Sequence, residues 1–211
     1  MTGIKICFCS WPGGGTSSAA KELQRRLAQI GFEFEILSTG SIFRSLAAAR
    51  YPDLDPVTAL ARLEVDAKED KEIDRFVDYA ILDAMRSDEN MIFDSRFAPH
   101  FSRVADYEKD WTMGIYCVYL YCTLWTSATR VASRDNDVPV DQVTLAMKIK
   151  ALMQNRHRRV MAAGRYKKLY GIGSLGGQIS VWDQRFNTGK VPTERIVDVV
   201  MQDLTIKGWL G

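Results

Sequence analysis

The chain has 211 residues, of which 46% are hydrophobic and 26% are charged, and its formal net charge is +2. This length and apolar content suffice for a full core, and we expect a single domain over residues 1–211. The nearly balanced charge excludes a basic tail or an acidic tract, so composition neither requires nor excludes a nucleic acid partner. No apolar run approaches 18 residues, and the chain enters a strand pattern without a charged leader, so we expect a cytoplasmic protein with no membrane partner.

The first predicted element is a strand over residues 4–9, which leads through a glycine-rich loop into a helix that begins near Thr16. Three consecutive glycines let several backbone N–H groups face one point, and the helix adds the positive end of its dipole. An anion should therefore bind at this loop. The residues predicted to hold its phosphates are Gly13, Gly14, Gly15, Thr16, Ser17 and Ser18.

This loop only partly follows the P-loop pattern G-x-x-x-x-G-K-[ST]. Gly15 occupies the position of the second glycine, and Ser17 that of the hydroxyl that holds magnesium. Ser10 replaces the first glycine and Thr16 replaces the lysine, whose charge normally lies at the β- and γ-phosphates. Either arginines elsewhere supply that charge, or the loop binds a nucleotide without catalysis.

The rest of the chain alternates between predicted strands and helices. After the helix over 19–30 come a strand over 32–37, a helix over 41–50, charged helices over 56–88 and a strand over 91–93. A central strand over 114–122 follows, then a helix over 126–134, a basic helical region over 140–170, a last strand within 179–187 and a helix over 193–200. This alternation predicts an α/β fold, a parallel sheet of about five strands with helices on both faces.

Cysteines lie in two of the predicted interior strands: Cys7 and Cys9 in the first, Cys117 and Cys122 in the central one. We expect buried free thiols there rather than disulfides. Cys7 and Cys9 should point to one face of their strand, where packing accounts for them without a metal.

Polar residues follow the strands where a parallel sheet collects its ligands. Ser38, Gly40 and Arg44 follow the second strand, and Asp94 and Arg96 follow the third. Asp94 suits a carboxylate that orients magnesium, or a base that takes a proton from a hydroxyl acceptor. It also suits a helix N-cap or an ion pair with Arg96.

Arginines in the second half of the chain can replace the missing lysine charge. Arg130 and Arg134 are four residues apart on one helix, and Arg156, Arg158, Arg159 and Arg165 recur in the basic region. Such arginines can neutralise phosphate charge, contact a nucleic acid backbone, or face solvent.

Several motifs together resemble the cytidylate kinases, and most closely the archaeal-type branch of the P-loop nucleoside monophosphate kinases. The loop Gly13-Gly14-Gly15-Thr16-Ser17-Ser18 is similar to a family loop in which threonine already replaces lysine. The other matching segments are Gly31-Phe32-Glu33-Phe34, residues 38–44, Glu72-Ile73-Asp74-Arg75-Phe76-Val77-Asp78, Arg130-Val131-Ala132-Ser133-Arg134, Arg165-Tyr166-Lys167-Lys168-Leu169-Tyr170-Gly171-Ile172, Trp182-Asp183 and Asn187-Thr188.

The resemblance implies a P-loop kinase fold with a mobile helical lid over about 130–165 and an acceptor-binding helical part over about 41–90. It implies ATP and Mg²⁺ as cofactors, and a γ-phosphoryl transfer to a pyrimidine nucleoside monophosphate by a monomer or weak dimer. The metal ligands would be Ser17 and Asp94. Ser38, Gly40, Arg44 and Arg96 would bind the acceptor, and the catalytic group would comprise Asp94, Arg130, Arg134 and Arg159.

The acceptor side departs from the family pattern. Relatives carry Glu-Gly-Arg-Leu-Ala-Gly-Trp where this chain has Asp94-Ser95-Arg96-Phe97-Ala98-Pro99-His100. The segment over 155–165 is longer than in the family, and Gln184-Arg185 replace expected apolar residues. Two alternatives therefore stay open: a kinase that phosphorylates a hydroxyl of a modified nucleoside or of a hydroxymethyl-pyrimidine base in DNA, with Asp94 as general base, and a non-catalytic nucleotide-binding module.

Overall fold

The structure of the protein, a computed structural model, describes residues 3–69, 71–96, 115–170 and 182–210. In this part of the chain the strands are β1 (Lys5–Ser10), β2 (Glu35–Ser38), β3 (Met91–Asp94), β4 (Ile115–Tyr121) and β5 (Gln184–Asn187). The helices are α1 (Thr16–Gln29), α2 (Thr39–Arg50), α3 (Pro56–Glu69), α4 (Lys71–Arg86), α5 (Leu124–Asn136), α6 (Leu145–Tyr170) and α7 (Thr193–Ile206). A short 3₁₀ turn, Val140–Gln142, precedes α6.

The five strands form one parallel sheet in the order β2-β3-β1-β4-β5, which confirms the predicted fold class. Strand β1 is central, and the chain crosses over it between β3 and β4. The crevice at the carboxyl end of β1 is therefore the point where a sheet of this kind binds its ligands. The glycine-rich loop begins at this end of β1.

Both faces of the sheet are covered by helices because side chains alternate along each buried strand. Ile6 and Phe8 of β1 pack in one core cluster with α1 and α7. Cys7 and Cys9 pack on the opposite face against α4, as predicted. The two clusters hold β1 rigidly beneath the loop that follows it.

Several element boundaries differ from the sequence prediction. Strand β2 begins at Glu35 rather than at residue 32, because Phe32 N–H donates to the Leu27 carbonyl at the end of α1. Helix α2 begins at Thr39, two residues earlier than predicted, and α7 continues to Ile206. The predicted placement of Cys122 in an interior strand is wrong, since β4 ends at Tyr121 and Cys122 is only half-buried.

Polar residues in the edge strand β5 have specific partners. Gln184 Nε2 donates to Asp203 Oδ2 on α7 at 2.7 Å, and the Arg185 guanidinium lies 5.7 Å from the ring centre of Tyr119. These contacts explain why β5 carries polar residues where the family pattern has apolar ones.

Among the residues that the structure describes, no helix has the length and apolar content that crossing a membrane requires.

Candidate active site

A cavity of about 510 Å³ opens at the carboxyl ends of β1 and β3. It is lined by the glycine-rich loop, the start of α2, the end of β3 and parts of α5 and α6. Among the described residues that line it, Asp94 is the one carboxylate. Five guanidinium groups also line it: Arg44, Arg96, Arg130, Arg134 and Arg158. This excess of positive charge suits a ligand with several negative charges.

The loop between β1 and α1 has the backbone geometry of an anion site. Gly13 and Gly15 have positive φ angles of 76° and 95°, which side chains rarely adopt. Gly15 precedes α1 without a side-chain cap, and the first helical bond runs from Ala19 N–H to the Gly15 carbonyl. The N–H groups of the first turn therefore have no partner inside the helix and remain free to bind phosphate oxygens.

Close packing explains the glycine at position 14. A Cβ atom there would lie 2.4 Å from Ser10 Cβ. Ser10, which replaces the first P-loop glycine, is buried, and its hydroxyl donates to the Trp11 carbonyl at 2.9 Å. The serine is thus accommodated inside the turn and does not block the anion site.

Arg130 fixes the glycine-rich loop through hydrogen bonds to Gly13 and Thr188. Its Nη1 donates to the Gly13 carbonyl at 3.3 Å and to Thr188 Oγ1 at 2.9 Å, and its Nη2 donates to the Thr188 carbonyl at 2.8 Å. Thr188 Oγ1 in turn donates to the Gly14 carbonyl at 3.0 Å. These bonds fix two loop carbonyls, so Arg130 positions the backbone of the loop in addition to lining the cavity.

Ser17 and Asp94 both line the cavity and contact each other. Ser17 Oγ donates to Asp94 Oδ2 at 2.5 Å, and Ser38 Oγ lies 3.4 Å from the same oxygen. Thr39 Oγ1 donates to the Asp94 carbonyl at 3.2 Å, which joins the start of α2 to the end of β3.

A hydroxyl and a carboxylate oxygen are hard ligands of the kind that Mg²⁺ uses when nucleotide phosphates and water complete its coordination. The described residues contain no group of three or more His, Cys, Asp or Glu that could hold a metal ion by themselves. The donor set of Ser17 and Asp94 therefore fits a magnesium ion that enters with its nucleotide.

Arg44 and Arg96 are the two arginines that the sequence predicts to bind the acceptor. Arg44 Nη2 donates to Ser41 Oγ at 3.0 Å within α2, and its Nη1 lies so close to Gly40 that a Cβ there would be 3.3 Å away. Arg96 follows β3, two residues after Asp94. Both arginines line the cavity, together with Ser38 and Gly40, so the predicted acceptor residues lie together. Residues 97–100 of the divergent acceptor segment lie outside the described residues.

The predicted lid arginines lie in different environments. Arg134 lines the cavity and donates from Nε to Asp135 at 2.8 Å. The Arg159 guanidinium lies 5.4 Å from the ring centre of Trp11, and its Nε is buried with no hydrogen-bond partner. Burial lowers the pKa of Arg159. Its neighbour Arg158 lines the cavity.

The cavity and the loop also involve residues for which the sequence predicted no role in the site. Trp11, Phe43 and Leu60 line the cavity, and Thr188 fixes the loop. A signal existed for Thr188, which belongs to the Asn-Thr motif after β5. No sequence signal distinguished Arg158 from Arg159, because the exact phase of α6 decides which one faces the cavity.

Relatives of this chain are named cytidylate kinase. Those from Saccharolobus islandicus (strain Y.G.57.14 / Yellowstone #1) and Sulfolobus acidocaldarius are 29% and 28% identical to it, over 92% and 94% of this chain and 87% and 92% of theirs. The relative from Halorubrum lacusprofundi is 29% identical over 90% of this chain and 83% of its own. No family model matches.

A solved structure from Eubacterium ventriosum, described as an uncharacterized protein, has a TM-score of 0.54 and 15% identity. The match covers 97% of this chain and 99% of that one, and it shows a shared fold. The resemblance predicted from the sequence is thus confirmed: over about nine-tenths of its length the chain is similar to archaeal proteins named cytidylate kinase, which supports its assignment as a nucleotide kinase.

Proposed function

We propose that this kinase transfers the γ-phosphoryl group of ATP, bound with Mg²⁺, to a pyrimidine nucleoside monophosphate. The supporting observation is that the five described arginines of the cavity come from both sides of β1 in the sheet. Arg44 and Arg96 follow β2 and β3 on one side, whereas Arg130, Arg134 and Arg158 belong to α5 and α6, which follow β4 on the other. Two separate phosphate-bearing ligands account for charge on both sides.

The donor is held by the loop. Free N–H groups of the loop and of the first turn of α1 bind the β- and γ-phosphates, and Ser17 and Asp94 hold the magnesium ion. The ion, when bound, neutralises charge on the phosphates and orients them. Arg134 and Arg158 supply the positive charge that Thr16 does not.

The acceptor is held by Arg44 and Arg96, which grip its phosphate and align it with the γ-phosphorus. A phosphate oxygen is already an anionic nucleophile, so this reaction requires no general base. Catalysis then consists of positioning and of neutralising charge. Asp94 accepts a hydrogen bond from Ser17, which occupies the P-loop position of the metal-binding hydroxyl, and this proximity supports a metal-binding role for the carboxylate.

A hydroxyl acceptor is the second candidate, and the divergent residues after β3 favour it. Between Asp94 and His100, only Arg96 and Ala98 match the family pattern, and this is the segment that would bind the acceptor. A hydroxyl on a modified nucleoside or on a hydroxymethyl-pyrimidine base in DNA must lose a proton, and Asp94 is the one carboxylate lining the described cavity that could take it.

The test is phosphate transfer from Mg-ATP to CMP, dCMP, UMP, dTMP and hydroxymethyl-pyrimidine DNA. We expect turnover of a free monophosphate. Arg44→Met should raise KM for that monophosphate at least about tenfold and leave KM for ATP nearly unchanged, because a charge-assisted bond to the acceptor is lost. Arg195→Met is the control, since Arg195 is exposed on α7. Turnover of DNA alone would establish the second candidate, and ATP binding without any transfer would contradict both.

A further inference from the structure

Two fully buried polar side chains lie behind the glycine-rich loop and connect it to α6. Ser127 on α5 donates from Oγ to the Pro12 carbonyl at 2.6 Å. Asn155 on α6 donates from Nδ2 to Ser127 Oγ at 3.0 Å. Both side chains are 0% exposed. We call this chain of contacts, from Asn155 through Ser127 to Pro12, the buried relay.

If the buried relay had only a structural role, its unsatisfied polar group would lower the stability of the fold without a compensating gain. Asn155 Oδ1 is buried and has no hydrogen-bond partner within the described part of the chain. An unsatisfied buried carbonyl destabilises a fold, whereas a leucine of similar shape would fill the same space without that cost. An asparagine at this position therefore calls for an explanation other than stability.

The Pro12–Gly13 peptide provides that explanation. In a trans peptide the C=O and the following N–H point in opposite directions, so a bond that fixes the Pro12 carbonyl also fixes the Gly13 N–H. The Pro12 carbonyl is held on the α5 side, which directs the Gly13 N–H away from α5. The loop is packed tightly there, since a Cβ on Gly13 would lie 2.6 Å from the Ser127 carbonyl oxygen.

We propose that Ser127 and Asn155 are positioning residues for ATP: they turn the Gly13 N–H toward the phosphates, although neither side chain touches the nucleotide. This inference rests on the proposed function, because it assigns the donor to the glycine-rich loop. Ser127 acts directly on Pro12. Asn155 acts through Ser127 by fixing the direction in which that hydroxyl donates.

The position of Asn155 links the loop to the predicted lid. Arg159, one helical turn after Asn155, lies over Trp11. Helix α6 thus contacts two consecutive loop residues, Trp11 through an arginine and Pro12 through the buried relay.

The experiment compares Ser127→Ala, Asn155→Leu and the double variant with the wild-type protein. Calorimetry measures the affinity for Mg-ATP, steady-state kinetics measures KM for each substrate, and thermal unfolding measures stability. The control is Gln154→Leu, because Gln154 is the exposed neighbour of Asn155 on α6.

Ser127→Ala should weaken Mg-ATP binding about tenfold and Asn155→Leu about threefold, as loss of one hydrogen bond predicts. The double variant should be no weaker than Ser127→Ala, because Asn155 acts only through the serine hydroxyl. KM for the acceptor should stay unchanged, and the Tm of Asn155→Leu should not fall. A merely structural role would lower Tm and weaken both substrates together.

Three results would overturn the inference while the proposed function stands. All variants could bind Mg-ATP with equal affinity, the losses could add in the double variant, or the loss of affinity could follow the loss of Tm. Failure of the wild-type protein to bind Mg-ATP would instead overturn the proposed function, and the inference with it.

Discussion

Asp94 is the carboxylate on which the proposed magnesium site depends. Asp94→Asn keeps the size of the side chain but replaces a charged oxygen ligand with a neutral amide. We expect kcat to fall about a hundredfold, since metal ions contribute several kcal/mol of charge stabilisation, while binding of metal-free ATP changes little. Rates measured over a series of Mg²⁺ concentrations should show partial recovery at high Mg²⁺.

Asp83→Asn provides the matched control, because Asp83 is an exposed aspartate on α4. A loss of rate in Asp94→Asn that stays equal at every Mg²⁺ concentration would contradict the metal role. Such a result would favour Asp94 as the base for a hydroxyl acceptor, because a base is not replaced by added metal.

The sequence predicted which polar residues would meet in one cavity, because a parallel sheet brings the ends of its strands to one edge. Asp94 ends β3 and Arg96 follows it. Ser17 and Arg44 lie in the first turns of the helices after β1 and β2, and all four residues line one cavity. Thr188 was harder to predict, since its role depends on where the turn after β5 meets the glycine-rich loop. The Asn187-Thr188 motif marks the residue, but the contact itself is tertiary and has no local pattern.

At the level of secondary structure, β1 and β4 carry buried thiols that should make the free energy of unfolding decrease at alkaline pH. Burial raises the pKa of the Cys117 thiol to about 12, and it raises the pKa of Cys7 and Cys9 as well. In the unfolded chain these thiols ionise near their ordinary value of 9.0. Above that pH the unfolded chain has lost protons that the folded chain keeps, so stability falls as pH rises from about 9 toward about 12.

We expect the urea midpoint of the wild-type protein to decrease between about pH 8 and about pH 10 for this reason. Cys117→Val removes one of the buried thiols and should make that decrease smaller, and the midpoint at pH 7 measures its packing cost separately. Lys5 acts in the opposite direction, because burial lowers its pKa. A decrease of the same size in Cys117→Val and wild type would show that the Cys117 thiol is not responsible.

The elements themselves were predictable where hydrophobic periodicity was strong. The boundaries of α1 and β4 follow the predicted ones closely, since each element buries a regular set of side chains. The ends of β2 and α2 were less predictable. At β2 the contact of Phe32 with the end of α1 shortens the strand, and at α2 the bond from Thr39 to the Asp94 carbonyl lies at the start of the helix.

For the molecule as a whole, the position of the charged residues affects the attraction of anionic substrates more than the net charge does. The net charge is only +2, yet five arginines and one carboxylate line the described cavity. A cavity that concentrates positive charge between low-dielectric walls attracts anionic substrates over a distance, and salt weakens this attraction. Composition therefore underestimated how strongly the protein should attract nucleotides.

The positive potential of the cavity predicts that salt slows the binding of substrate more than it slows the phosphoryl-transfer step. Between about 0.05 M and about 0.5 M KCl, kcat/KM should fall about tenfold while kcat changes little, because the Debye length shortens from more than about 10 Å to a few Å. Arg158→Met removes one positive charge from the cavity and should flatten the slope of log kcat/KM against ionic strength. Arg195→Met removes an exposed charge on α7 and should keep the wild-type slope. Equal slopes in the two variants would mean that the overall charge, and not the cavity arginines, attracts the substrates.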